Sequence, residues 1–312
     1  MTSAAPARSE ARNLAGFVLI ALIWGSTWLV IKDQISVVPA PWSVTWRFSL
    51  AALGMFALAL MRGEPLILPG EGLRHAALVG VAQFTLNFQF VYASEHYLTS
   101  GLVAVFFALM LVPNALLSRI FLGARFGKRF VAGGAVALAG IALLLLHEYR
   151  EAPPGMDVSK GVLLVLGAVL CASVGNVLQG TAVARRQPVV TMLAWGLTFG
   201  ALGDALYAFV LHGPPVLDPR PQYLWGIAYL AIIGTVATFP IYAALIRAWG
   251  PGKAAYNGVA VPVVAMLLST LFEGVRWTGL AIGGAVLAMA GLLIALGVQR
   301  PRAARQAAKP SR

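Results

Sequence analysis

Charged side chains are scarce in this sequence, in which they make up 11% of the 312 residues, whereas soluble domains carry about 25%. Apolar residues make up 59% of the chain. Because so little polar material cannot cover the surface of a globule in water, the composition excludes an ordinary soluble domain. It favours a protein that has lipid as its solvent.

Cysteine is also nearly absent. The single cysteine, Cys171, excludes an intramolecular disulfide and a cysteine-based metal cluster. The sequence contains no HExxH, no Gly-x-Ser-x-Gly and no phosphate-binding GxxxxGK[ST] motif, which argues against a metalloprotease, a serine hydrolase and an ATP-driven pump. We therefore predict neither a metal nor another cofactor.

Acidic residues are few, since 11 of them face 23 lysines and arginines for a net charge of +12. The basic residues fall at the ends of apolar segments and form no basic helix interleaved with aromatics, so we predict no nucleic-acid partner. Ten apolar segments, each about as long as a membrane-spanning helix, separate these charges. They cover residues 14–31, 41–61, 73–92, 98–121, 130–146, 161–184, 189–211, 224–246, 254–272 and 277–298.

The distribution of lysine and arginine predicts the orientation. Seventeen of the 23 lie in the N-terminal segment, in the loops after helices 2, 4, 6 and 8, and in the C-terminal segment. By the positive-inside rule, both termini are then cytoplasmic in a bacterial-type inner membrane. This assigns residues 1–13 to a cytoplasmic N-terminal tail and residues 299–312 to a basic cytoplasmic tail.

Two stretches of the chain are nearly identical: "GGAVALAGIALLL" begins at Gly133 and "GGAVLAMAGLLIAL" begins at Gly283. Upstream of each lies a helix with a proline inside it, Pro113 or Pro262, which we predict to be hinge or packing positions. Helices 4 and 5 therefore match helices 9 and 10.

The chain divides into two units of five helices, residues 14–147 and 161–298, with a connecting loop at 148–160. Because five is odd, the second unit is inverted in the membrane, an arrangement found in secondary transporters. The prediction is an all-α polytopic membrane protein with ten transmembrane helices, arranged as two inverted five-helix repeats around a central cavity.

Polar side chains at membrane depth are costly and usually face a cavity or a partner helix. Gln83 and Asn87 share one helix face, with the aromatic Phe84 beside them, and are the leading candidates for the cavity. Amides and aromatic rings suit a zwitterion with an apolar side chain, although amides also bridge helices and aromatic residues also anchor at membrane interfaces. The other candidates for substrate binding are Trp24, Trp28, Tyr92, Asn176, Gln179, Trp195, Tyr242 and Tyr256.

Asp204 is the only acid well inside an apolar segment and is the candidate for proton coupling, but the scarcity of acids leaves facilitated diffusion open. An intramembrane aspartyl protease is a weaker alternative, because Ala201 replaces the first glycine of Gly-x-Gly-Asp and no second intramembrane aspartate exists. A channel is disfavoured because no charged ring or carbonyl filter is visible. Arg47 is the only plausible cation for a cavity, which argues against nucleotide sugars as substrates.

The stretches "ALIWGSTWLVIK" and "PWSVTWRFSLAALG" resemble the opening of the EamA type of the drug/metabolite transporter superfamily, which shows a Trp-Gly pair in helix 1 and an Arg-Phe pair in helix 2. The matching residues are Trp24-Gly25 and Arg47-Phe48. One departure is Ala124, which stands where the family commonly has glutamate after Leu-Gly, whereas the second unit keeps Glu273.

The resemblance implies a secondary transporter that exports small metabolites, and it is strongest to the amino-acid exporters, including those for aromatic amino acids. Export of other drugs or metabolites is the alternative. On this interpretation the protein is not an enzyme. Its partners are the lipid bilayer and a small amino acid-like solute. The oligomeric state stays open, and a monomer is compatible with the sequence.

Overall fold

Helices are the structure expected of long apolar segments in lipid, because a helix satisfies its own backbone hydrogen bonds. The computed structural model describes residues 4–34, 38–98, 100–151, 158–272 and 278–296. Three sequence features lie outside the described residues: the basic tail at 299–312, Glu273, and residues 152–157 of the connecting loop.

The described residues form helices and contain no strand, so the predicted all-α polytopic architecture is confirmed. Nine of the described helices are long and apolar enough to cross a membrane; α9, with 16 residues, is slightly shorter. The principal helices are α1 (Ala4–Gln34), α2 (Ala40–Met61), α3 (Gly70–Ser94), α4 (100–122), α5 (Lys128–Glu151), α6 (Val158–Gly180), α7 (Val189–His212), α8 (Pro221–Trp249), α9 (Asn257–Phe272) and α10 (Gly279–Leu296).

Two of these helices contain a wide π-helical turn at matching places in the repeat. The turn covers Gly80–Leu86 in α3 and Tyr229–Ala237 in α8. In α4, a short 3₁₀ segment at Ala108–Met110 precedes Pro113, and α9 contains Pro262 within its length. Such irregular turns leave backbone carbonyls without their usual partners and are frequent at functional sites.

The helices pack with pseudo-two-fold symmetry. The second helix of each unit packs on its counterpart, α2 on α7, and the fifth does the same, α5 on α10. Helix α1 packs against α8 and α9, and its counterpart α6 packs against α3 and α4. The first helix of each unit thus packs against the third and fourth helices of the other unit. Both repeats therefore line the central space.

The α5–α10 contact shows the inversion directly. Gly133 faces Gly291, while Gly140, seven residues later on α5, faces Gly284, seven residues earlier on α10. A Cβ atom added at Gly133 would lie 2.6 Å from the Gly291 carbonyl oxygen, and one at Gly140 would lie 2.6 Å from that of Gly284. These four residues, the glycine seam, let two antiparallel backbones touch, as lipid-embedded helices with small residues do. The predicted inversion of the repeats is confirmed.

Large apolar side chains cover the outside of the bundle. Leu53, Leu163 and Leu206 are each about two-thirds exposed or more, with values of 68%, 72% and 67%. Many further leucines, isoleucines and valines on the spanning helices are exposed as well. This surface suits the hydrocarbon of a bilayer, so the polar groups that are buried inside the bundle define where function is to be sought.

Candidate functional site

A cavity of about 100 Å³ lies between the two repeats. Helices α1 to α4 contribute its walls from the first unit, and α6, α8 and α9 contribute from the second. The interface between inverted repeats is where secondary transporters bind their substrates. The packing of α1 and α6 across the two units is what creates this space.

Six of the residues predicted to bind substrate line this cavity together. They come from α1, α3, α6 and α8, so the cavity joins side chains that lie as much as 218 residues apart in sequence. The six are Trp24, Trp28, Gln83, Asn87, Asn176 and Tyr242.

The aromatic wall is built around Trp24. Its ring centroid lies 5.0 Å from that of Tyr242 and 5.5 Å from that of Phe239, both on α8. Its indole N–H donates to the carbonyl oxygen of Gly234 at 3.2 Å and to Thr238 Oγ1 at 3.0 Å. Gly234 belongs to the π-helical turn of α8, so the wide turn supplies the acceptor that orients this wall. The second tryptophan of α1, Trp28, packs against Phe107 at a centroid distance of 6.0 Å.

The amide wall comes from α3 and α6. Asn87 Nδ2 donates to the backbone oxygen of Gln83 at 3.1 Å, and Asn176 Nδ2 donates to the Tyr242 hydroxyl at 3.3 Å. The side-chain oxygens of Gln83, Asn87 and Asn176 are buried and have no hydrogen-bond partner. Buried acceptors without partners are uncommon in folded proteins. These three residues therefore offer spare acceptors to a donor-rich ligand.

Arg47 also lines the cavity, at the second turn of α2. Its side chain is 3% exposed, and its guanidinium lies over the rings of Phe48 and Phe88, at 5.2 and 4.8 Å from their centroids. Arg47 is not among the predicted substrate-binding residues, because it lies near the start of an apolar segment. One feature of the sequence could have identified Arg47. It is the only charged residue in α2, and a charge inside a membrane helix usually faces a cavity or a partner.

The remaining predicted residues of the binding set lie elsewhere. Phe84 packs between Phe48 and Phe239, and Tyr92 is buried beside Arg47. The amide of Gln179 is buried without a hydrogen-bond partner and does not line the cavity.

Two aromatic candidates serve as struts between helices. Trp195 donates its indole N–H to the Leu66 carbonyl oxygen at 2.8 Å, and the Tyr256 hydroxyl donates to that of Phe130 at 2.8 Å. Each side chain thus donates its hydrogen bond to a backbone oxygen of the other repeat, away from the cavity.

Asp204 is fully buried on α7 but is not part of the cavity wall. Its Oδ1 accepts a hydrogen bond of 2.8 Å from Gln89 Nε2 on α3, and its Oδ2 has no hydrogen-bond partner. Pro113 and Pro262 lie in α4 and α9, which are the fourth helices of the two units. Neither proline lines the cavity.

The sequence profile of the EamA-like transporter family matches the chain twice, over residues 13–146 and over residues 159–297. The chain belongs to the EamA-like transporter family. It is therefore a membrane transporter for a small-molecule substrate. One solved crystal structure shares the fold, with a TM-score of 0.73 at 20% identity over 91% of this chain and 96% of that chain.

Curated relatives of this EamA-like transporter cover nearly its whole length. It is 30% identical to the uncharacterized inner membrane transporter YedA of Escherichia coli K12, over 88% of both chains. It is 25% identical to a probable amino-acid metabolite efflux pump of Salmonella typhimurium, over 89% of this chain and 92% of that protein. It is 24% identical to protein PagO of the same organism, over 83% of this chain and 84% of that protein.

Proposed function

We propose that this EamA-like transporter exports neutral amino acids, aromatic ones included, through the cavity between its two repeats. The observation that carries the proposal is the composition of that cavity. It combines an aromatic wall around Trp24 with amides whose oxygens lack partners, and with one guanidinium. Ring faces pack apolar side chains, whereas amide oxygens accept hydrogen bonds from an ammonium group.

The name of the Salmonella relative, a probable amino-acid metabolite efflux pump, supports the same substrate class and the outward direction. The name of YedA supports an inner membrane location. The distribution of basic residues, 17 of 23 on one side, supports a cytoplasmic position for both termini. A cysteine introduced at Leu217 in a variant lacking Cys171 should then react with an impermeant maleimide from outside intact cells, and one at Glu71 should not.

Alternating access is the proposed mechanism. A cavity of about 100 Å³ is smaller than the roughly 300–1,000 Å³ of sites that hold drug-sized ligands. A bulky amino acid therefore enters only when one unit rocks against the other and widens the space. The inverted repeat supports two such open states of related geometry, one toward each side of the membrane.

Counterflow in proteoliposomes tests the proposed function. Vesicles loaded with unlabelled phenylalanine or leucine should accumulate the labelled amino acid faster than protein-free vesicles. The Asn176→Leu variant, which removes a polar group from the cavity wall, should lose about tenfold or more of this exchange. Asn114→Leu is the matched control, since Asn114 is a buried amide that bonds Ser173 outside the cavity. Folded protein that exchanges no amino acid would overturn the proposal.

A further inference from the structure

We propose that Arg47 binds the carboxylate of the transported substrate, so that the transporter selects solutes carrying a carboxylate and rejects their neutral or decarboxylated analogues. The inference rests on the proposed function, since it assigns one end of the amino acid to one residue of the same cavity. It goes further by naming the group that determines specificity.

The first argument is the burial of an uncompensated charge. Arg47 is 3% exposed, and its guanidinium makes a single long hydrogen bond, from Nη2 to Thr235 Oγ1 at 3.5 Å. Its Nε and Nη1 have no hydrogen-bond partner. The hydroxyl of Tyr92 lies close enough to interact with the guanidinium, but a phenol carries no negative charge and so does not neutralise it. Burying a charge without partners is expensive, so a ligand that supplies them gains binding energy.

The second argument is the absence of a protein counter-ion. The residues lining the cavity include no aspartate or glutamate, and no described acid forms an ion pair with Arg47. Asp204, the acid within α7, accepts from Gln89 instead. A guanidinium offers a planar fork of donors that matches a carboxylate, so the missing partner has the chemistry of an anion with two oxygens.

The third argument is preorganisation. The guanidinium lies over two rings, Phe48 on its own helix and Phe88 on α3, at 5.2 and 4.8 Å. Thr235 Oγ1 donates to the Leu230 carbonyl oxygen at 2.8 Å, so that a lone pair is left to face Arg47. Three helices thus hold the donors in place before substrate arrives, which lowers the entropic cost of binding.

Phenylalanine and phenylalaninamide make a matched pair of probes, because they differ only in whether a carboxylate or a neutral amide is present. Binding of both to purified protein should be measured at pH 6, where both amines are protonated. The wild-type protein should bind phenylalanine about 10- to 100-fold more tightly than phenylalaninamide, the range expected of hydrogen bonds to a charged group.

Variants at Arg47 close the cycle. In Arg47→Gln the preference for phenylalanine over its amide should disappear, and in Arg47→Lys, which keeps the charge but loses the fork, it should fall without vanishing. Arg119→Gln, an exposed arginine on α4, should keep the full preference. Thermal unfolding in the same detergent checks that each variant is folded. If Arg47→Gln does not fold, the reduced preference of Arg47→Lys relative to the wild-type protein tests the proposal.

The outcomes separate this inference from the proposed function. If wild-type protein binds neither probe, amino-acid export fails. If it binds both probes equally, or if Arg47→Gln keeps the wild-type preference, amino-acid export stands and the role of Arg47 is overturned. Loss of the preference in Arg47→Gln, with amide affinity changed less than about threefold, supports the inference, because a purely structural arginine would affect both probes alike.

Discussion

The glycine seam and the cavity lie between the same two repeats, yet the seam consists of glycines and the cavity is lined by large aromatic and polar side chains. At the seam, Gly133, Gly140, Gly284 and Gly291 remove side chains so that α5 and α10 meet backbone to backbone. At the cavity, aromatic rings and amides hold the helices apart and leave space between them. One pseudo-symmetric interface therefore holds the units together at one place and stays open to a ligand at another.

The comparison predicts that damage at the seam is structural, whereas damage at the cavity is functional. The largest effect is expected from Gly291→Val, because a Cβ there would lie 2.5 Å from the Gly133 carbonyl oxygen and the valine branches add further clashes. We expect destabilisation of about 3 kcal/mol or more and little folded protein, as judged by size-exclusion chromatography and thermal unfolding.

Gly283→Val is the matched control for the seam. Gly283 lies on the same helix, but its added Cβ would meet only Leu143 Cδ1, at 3.9 Å. This variant should fold with wild-type yield. An equal loss of folded protein in both variants would mean that α10 tolerates a β-branched residue at neither position. The close backbone contact at the seam would then not explain the effect of Gly291→Val.

The second effect in size concerns the cavity. Trp24→Phe removes the indole N–H that bonds the Gly234 carbonyl oxygen and Thr238, while it keeps an aromatic ring. We expect about a tenfold loss of phenylalanine counterflow, with the unfolding midpoint lowered by only a few degrees. Trp225→Phe, at a position that is 75% exposed on α8, is the control and should transport normally. A large loss of folded protein in Trp24→Phe would show that Trp24 is needed for stability, like the seam glycines, rather than for transport.

The third prediction concerns Asp204, which belongs to neither region. Asp204→Asn keeps a hydrogen-bonding partner for Gln89 but cannot release a proton. If Asp204 couples transport to protons, the variant should keep phenylalanine counterflow and lose stimulation by an imposed pH gradient. Wild-type transport that ignores the gradient, or a variant that still responds to it, would contradict coupling through this residue and favour facilitated diffusion.

The smallest effects are expected from the paired prolines. Pro113→Ala and Pro262→Ala each restore a possible helix hydrogen bond in α4 or α9. We expect each to slow counterflow by about two- to threefold without changing phenylalanine affinity, because both prolines lie outside the cavity. Similar slowing in the two variants would sharpen the symmetry of the units, whereas altered affinity in either would show that it shapes the site.

The fold could be predicted from the sequence because lipid imposes simple rules. Apolar segments of spanning length become helices, and an odd number of helices in each repeat inverts the second copy. The two echoing stretches that begin at Gly133 and Gly283 revealed the repeat, and the structure packs them against each other at the seam.

The site was harder to predict, because the sequence does not show which group accepts the hydrogen bond of a buried indole N–H or phenol hydroxyl. Trp195 and Tyr256 look like cavity residues in the sequence, yet backbone carbonyls of Leu66 and Phe130 satisfy them. Arg47 lies close to a segment end, where arginines are common, yet α2 carries it inward.

The turn at Gly80–Leu86 has a consequence for insertions and deletions. A π-helical turn holds one residue more than an α-helical path would, and each residue of an α-helix advances the side chains by about 100° around the axis. Deleting one residue there would remove the extra residue and let α3 continue as a regular α-helix, so that Asn87 and Phe88 would keep their places in the cavity wall. The same deletion in a regular α-helical part of α3 before Asn87 would instead rotate both side chains by about 100°. The turn is therefore the place in α3 where a chain of this architecture can lose one residue and keep the same cavity wall.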